Sequence, residues 1–293
     1  MDSEAGVISV FGRHSVYFEY HRKAGATKTA VMVNGALATT TSFSQTIRNL
    51  RDYVNIVLFD LPFAGRSREH NTGNDVLTKE DEIEILLYLI EHFQVNYLIG
   101  ASWGSVASLL SLTRNPPSIE KAVILSFSPV INEAMCSYMT GALQFLRDQD
   151  IPGGADLLNN TVGKYLPRLL KAHNRQYLLS MVQGNERQIM FHIDQIFALD
   201  RSQYVDRFAA IDVPVLFING ELDEYTTTED VRSLARHIRY SQFAVVPNAG
   251  HFLELESTQA RRAAGEIQRK FLFVNAFDME ANAMDNQDVS LAM

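Results

Sequence analysis

Short apolar runs alternate with longer amphipathic stretches along most of the chain. Val7–Phe11 and Ser15–Tyr20, separated by Gly12-Arg13-His14, predict an opening hairpin. Ala30–Val33, Val54–Phe59, Val95–Ile99, Ala122–Leu125, Val213–Ile218 and Gln242–Val246 are brief and nearly all apolar. Such runs predict strands buried on both faces, the mark of a parallel sheet. Between them lie helical segments at Ser42–Leu50, Thr78–Phe93, Ser102 to about Asn115, Thr228–Ile238 and Ser257–Val274. In the second of these Ile83, Leu86, Leu87 and Ile90 recur at helical spacing, and Thr78 with Asp81 forms a capping-box signature. The rhythm changes between residues 130 and 207, where buried β-branched runs vanish. Ala134–Leu146, Asp156–Tyr165, Pro167–Val182 and Glu186–Leu199 read as helices there. The pattern predicts an α/β sheet domain from residues 1–129 and 208–274, with a helical cap inserted at 130–207. Residues 275–293 carry acids without bases and read as a mobile tail.

Right-handed crossovers place the carboxyl ends of parallel strands along one edge, where ligands bind. Every distinctive turn falls at such an end: Asn34-Gly35-Ala36, Asp60 to Ser67, Gly100-Ala101-Ser102-Trp103-Gly104, Ser126 to Pro129, Asn219 to Asp223, and Gly250-His251. The third is G-x-S-x-G between a strand and a helix, the signature of an exposed serine nucleophile. A serine hydroxyl needs a base to take its proton. His251 is the one histidine in a Gly-His turn past a late strand; His14, His21, His70, His92, His173, His192 and His237 read as surface or structural. An acid must orient the imidazole. Asp223 lies past the penultimate strand, with Glu221 and Glu224 as close rivals by spacing alone. The Trp103 N–H and the Ala36 N–H are the candidate donors to a developing oxyanion. The side chain of Trp103, the single tryptophan, fits an acyl-pocket wall and a core position equally well.

Composition narrows the field. The 293 residues are 46% hydrophobic and 20% charged, with a net charge of −8. An acidic chain is a poor match for nucleic acid. No apolar stretch reaches the ~18 residues that span a bilayer, and the N-terminus lacks a secretory pattern, so an intracellular protein is expected. The lone cysteine, Cys136, excludes an internal disulfide, suits a reducing cytoplasm and reads as a small buried residue. No metal or cofactor motif is visible. The lack of a phosphate-binding glycine loop argues against a glycosyltransferase using a nucleotide sugar.

Seven stretches carry a resemblance: Val33–Thr40, Phe59–Gly65, Ala101–Gly104, Thr161–Pro167, Phe191–Gln195, Asn219-Gly220 with Asp223–Asp230, and Ala249–Leu253. On these, over about residues 5–275, the chain resembles α/β-hydrolase-fold proteins. More narrowly it is similar to the rhamnolipid-precursor synthases and their sister 3-hydroxyacyl-ACP:CoA transacylases. The resemblance implies a Ser102-Asp223-His251 triad, with Asp223 chosen over its neighbours. It implies acyl transfer through a serine ester, with acyl carrier protein-bound 3-hydroxyacyl chains as donors. Leu61-Pro62-Phe63 and Thr161–Pro167 favour the synthase, which joins two 3-hydroxyacyl chains into 3-(3-hydroxyalkanoyloxy)alkanoic acid, and this is the leading expectation. Ser126–Glu133 looks more like the transacylase, the alternative alongside a thioesterase; a catalytically silent ligand receptor is the remote one. Asn34, Phe63, Trp103, His192 and Tyr225 are candidate substrate contacts. Arg168, Lys171 and Arg175 fall on one side of a predicted helix, with Lys164 just before it, and form a candidate docking face for the acidic carrier protein.

Overall fold

The computed structural model describes residues 2–72, 76–182, 185–198 and 201–274; the expected tail at 275–293 lies outside them. Eight strands form one sheet: β1 (Asp2–Val10), β2 (His14–Arg22), β3 (Thr29–Val33), β4 (Asn55–Asp60), β5 (Tyr97–Ala101), β6 (Lys121–Leu125), β7 (Val215–Gly220) and β8 (Ser241–Val246). Their order is β1-β2-β4-β3-β5-β6-β7-β8. β2 is antiparallel to β1 and β4, and every later pairing is parallel. The α/β-hydrolase fold expected from the sequence is the fold observed.

Eleven α-helices accompany the described strands: α1 (Ser44–Leu50), α2 (Lys79–His92), α3 (Gly104–Leu112), α4 (Glu133–Arg147), α5 (Ile151–Asn160), α6 (Arg168–Val182), α7 (Glu186–Ala198), α8 (Arg201–Asp206), α9 (Thr228–Arg232), α10 (Leu253–Glu256) and α11 (Thr258–Phe273). Alternate residues of the central strands face opposite sides. Val31, Val57 and Leu98 pack with Leu86 and Leu89 of α2 and Leu109 of α3. Met32, Ile56 and Ile99 pack with Leu50 of α1 and Phe271 of α11. Burial on both faces is why these strands read as unbroken apolar runs. Helices α4 to α8 all lie between β6 and β7. No helix among the described residues is long and apolar enough to cross a membrane.

Three expectations need correction. β1 starts at Asp2, not Val7, because its polar residues pair one for one with β2, from Asp2 with Arg22 to Val10 with His14. Those exposed residues join through backbone hydrogen bonds that leave no apolar signal. α5 covers Ile151–Asn160 rather than Asp156–Tyr165. Asp150 caps Gly153 and Pro152 occupies the first turn, so a start signal overrides two helix-weakening glycines. Cys136 is exposed on α4, not buried.

Candidate active site

The site is assembled where β3, β5, β6, β7 and β8 end. Ser102 follows β5 with φ +48°, a left-handed conformation that costs a non-glycine residue about 1 kcal/mol or more. Its N–H donates to the Leu125 carbonyl at 2.8 Å, tying the turn to the end of β6. Glycine is required beside it. A Cβ at Gly104 would lie 2.3 Å from the Asn34 carbonyl oxygen, and one at Gly100 would lie 2.5 Å from Ser108 Oγ. Those close approaches let the start of α3 sit directly on β3 and its following turn.

His251 Nε2 lies 3.0 Å from Ser102 Oγ, and His251 Nδ1 lies 2.9 Å from Asp223 Oδ2. These three residues of attack, proton transfer and orientation form a continuous hydrogen-bonded line. Asp223 Oδ1 accepts from the N–H groups of Tyr225 at 2.9 Å and Thr226 at 3.1 Å. Its Oδ2 also accepts from the Thr226 hydroxyl. Burial alone would raise the Asp223 pKa; the charge of His251 and the hydrogen bonds from His251, Thr226 and Tyr225 outweigh it and hold the carboxyl below its ordinary range. The rivals are engaged elsewhere: Glu221 accepts from the Asn248 N–H at 2.8 Å, and Glu224 pairs with Lys164 at 2.8 Å. The His251 loop is braced on both sides. Ser126 Oγ donates to the His251 carbonyl at 2.6 Å, and Glu256 accepts from the N–H groups of Gly250 and Phe252 at 2.6 and 2.9 Å. Sequence reading missed Thr226 and Glu256, since hydroxyls and acids near turns are too common to single out.

The turn after β3 closes the other side. A Cβ at Gly35 would lie 3.3 Å from Ser102 Cβ, so Gly35-Ala36 packs against the serine. Among the described residues no protein oxygen accepts from the Ala36 or Trp103 N–H. Two free amides beside a serine hydroxyl can stabilise a negative oxygen formed there.

The candidate substrate contacts divide. Asn34 is buried, and its Nδ2 donates to the Phe59 carbonyl at 2.8 Å, tying the end of β3 to β4. Phe63, at φ +67°, packs partly buried against the core, and its carbonyl accepts from Asn185 Nδ2 at 2.7 Å. Tyr225 is buried and meets Tyr138 of α4 edge to face at 6.1 Å. The Trp103 indole is also buried, and its Nε1 donates to Glu82 Oε1 at 3.3 Å. His192 of α7 stacks on it at 5.3 Å. Glu82 and Lys79 were not singled out in the sequence, although the helical stripe through Ile83, Leu86 and Ile90, extended back one turn, runs onto both. A charged residue on an apolar stripe is the signal that would have found them.

The four candidate docking cations differ as well. Lys164 pairs with Glu224, Lys171 Nζ donates to the Lys164 carbonyl at 2.8 Å, and Arg175 pairs with Asp156 at 2.7 Å. Arg168 is exposed at the start of α6, next to Leu169, which is 86% exposed. Among the described residues no cluster of three or more His, Cys, Asp or Glu side chains could hold a metal ion.

Comparison with known proteins agrees with this architecture. A family model for the alpha/beta hydrolase fold matches residues 30–258. The chain is 43% identical over 272 residues to an (R)-3-hydroxydecanoyl-ACP:CoA transacylase of Pseudomonas putida, covering 93% of this chain and 92% of that one. Its identity to the protein of the same name from Pseudomonas aeruginosa is 39% over 272 residues, covering 93% and 91%. Among solved structures, an esterase from Exiguobacterium antarcticum superposes with a TM-score of 0.74 at 16% identity, covering 92% of this chain and 99% of that one. The chain belongs to the α/β-hydrolase family, among the relatives of the 3-hydroxyacyl-ACP:CoA transacylases.

Proposed function

We propose that the protein transfers a 3-hydroxyacyl group from acyl carrier protein to coenzyme A through an ester on Ser102. The observation that carries this is the similarity to three proteins named (R)-3-hydroxydecanoyl-ACP:CoA transacylase, at 39%, 42% and 43% identity over 93% of the chain. The site geometry supports acyl transfer in general. Ser102 Oγ attacks the thioester carbonyl while His251 Nε2 takes its proton. The carbonyl oxygen becomes an oxyanion between the Ala36 and Trp103 amides. Collapse breaks the C–S bond, and the departing sulfur takes the proton from His251. The coenzyme A thiol then gives its proton to His251 and attacks the ester carbonyl. The acyl–Ser102 bond breaks and the proton returns to Ser102 Oγ.

The sequence motifs ranked the joining of two hydroxyacyl chains first, with a hydroxyl as the second nucleophile. The same residues serve either acceptor, and similarity to transacylases across nearly the whole chain supports the thiol. We assign α4 to α8, within residues 130–207, the role of a cap over the strand ends. Its task is to exclude water, since water would hydrolyse the acyl-enzyme. The reducing cytoplasm expected from the lone cysteine suits such thiol chemistry.

Purified protein incubated with 3-hydroxydecanoyl-acyl carrier protein and coenzyme A is expected to yield 3-hydroxydecanoyl-coenzyme A, read by mass spectrometry. A dimeric hydroxyester formed without coenzyme A would restore the synthase reading, and free hydroxy acid alone would make it a thioesterase. Carrier docking rests on Arg168 among the four cations, because the other three have partners within the protein. Arg168→Glu is expected to raise KM for the carrier-bound donor about threefold or more, with kcat little changed. An unchanged KM counts against this docking face.

A further inference from the structure

The side chain that follows the nucleophile is braced by three groups, with a fourth residue behind one of them. The Trp103 Nε1–H donates to Glu82 Oε1 at 3.3 Å. Lys79 Nζ sits 3.8 Å from the indole ring centroid and 2.5 Å from Glu82 Oε2. His192 stacks on the indole with ring centroids 5.3 Å apart and planes 30° apart. Gln188, one turn before His192 on α7, completes the cluster. Its Oε1 accepts from the Leu77 N–H at 2.7 Å, and its Nε2 donates to the Leu77 carbonyl at 3.0 Å.

The two Leu77 bonds settle which end of the Gln188 amide is oxygen and which is nitrogen. The second hydrogen on Nε2 therefore faces His192 Nε2, 2.5 Å away. That histidine nitrogen must present a lone pair, so the ring proton sits on Nδ1. Glu82 Oε1 lies 3.4 Å from the same nitrogen and takes its proton from Trp103 instead. Burial lowers the His192 pKa and the Lys79 charge adds to the effect, while the Glu82 charge and a hydrogen bond to the Leu77 main chain oppose it; the net is a lowered pKa that favours the neutral ring.

A packed apolar cluster would join α7 to the sheet domain at least as well as a buried charge pair, so stability alone is a weak reason for this one. What the polar groups add is direction. An indole has two side-chain torsions, and a ring held on its N–H edge and by cations or rings on its faces leaves both fixed. Swinging the Ser102–Trp103 peptide, and with it the Trp103 N–H, would then require the ring to move.

We propose that Glu82, Gln188 and His192 are positioning residues: they clamp the Trp103 indole between α2 and α7, and so hold the Trp103 main-chain N–H on the oxyanion. The inference rests on the reading of Trp103 as an oxyanion donor, not on the identity of the acyl group. It also implies that the donor is fully set only while α7 is seated.

A fluorophosphonate tests this without any natural substrate. Ser102 Oγ forms a bond to phosphorus, fluoride leaves, the serine proton passes to His251, and the phosphoryl oxygen uses the same amides. Trp103→Phe keeps the stack and loses the Glu82 bond; Glu82→Leu removes that acceptor, while Glu82→Gln retains an acceptor oxygen. The first two are expected to slow labelling about tenfold, measured well below their Tm, and Glu82→Gln to recover most of the rate. Trp103→Phe remains informative if Glu82→Leu does not fold. Labelling within twofold of the parent would overturn the proposal, leaving the cluster a structural tie. The 15N spectrum of His192 at pH 7 is expected to show an unprotonated Nε2, and a protonated Nε2 would overturn it as well. If the parent labels but makes no 3-hydroxydecanoyl-coenzyme A, the substrate reading falls while the labelling comparison still decides this one.

Discussion

Replacing Ser102 with alanine is expected to lower acyl transfer by about 10⁵-fold or more and to abolish any covalent adduct. Among the described residues the Ser102 hydroxyl is the one oxygen that His251 Nε2 reaches, at 3.0 Å, so none of them is placed to take over its attack. The residual rate would come from binding and from the Ala36 and Trp103 amides, which the substitution leaves in place. Alanine removes a single hydrogen bond and keeps the same φ of +48°, so Tm should move by only a few degrees. Intact-mass spectrometry after incubation with the thioester separates the outcomes. An acyl adduct on the alanine variant, or more than a percent of parental turnover, would show that another group is the nucleophile.

Asp223→Asn should cost nearly as much, about 10³- to 10⁴-fold in kcat, with little loss of stability. The reason is specific to this pocket. Oδ1 accepts from two main-chain N–H groups, those of Tyr225 and Thr226, so the asparagine oxygen must occupy that position. The amide nitrogen is then forced into the place of Oδ2, facing His251 Nδ1. Two donors cannot meet, so Nδ1 becomes the acceptor and the ring proton moves to Nε2. A protonated Nε2 cannot take the proton of Ser102. The Thr226 hydroxyl can rotate to donate elsewhere, which keeps the structural cost small. A variant that retains more than a tenth of parental kcat would remove Asp223 from the role of orienting acid.

Much of this is legible in the amino-acid sequence. Buried strands announce themselves as apolar runs, and the turns at their carboxyl ends carry residues that are costly unless something requires them. The start of the edge strand β1 escapes the sequence pattern because its exposed polar residues pair with β2 mainly through the backbone. The choice of Asp223 over Glu221 and Glu224 could not be made by spacing. It follows from which carboxylate the turn after β7 points at His251 and which find Asn248 and Lys164 instead. The docking cations show the same limit. A helical wheel gives a face, but only packing reveals that Lys164, Lys171 and Arg175 are already engaged.

The sequence by itself determined the sheet-and-helix order, the elbow at Ser102 and the histidine that serves it, because each depends on residues near one another in the chain. Only the tertiary structure decided that Asn34 is buried against the Phe59 carbonyl, and that Glu82, Lys79 and His192 surround Trp103 with Gln188 behind His192. Residues 79, 82, 103, 188 and 192 come from α2, the elbow and α7. The contacts of Gln188 and His192 exist only when α7 packs against the sheet domain, and no local pattern encodes a meeting across about a hundred residues.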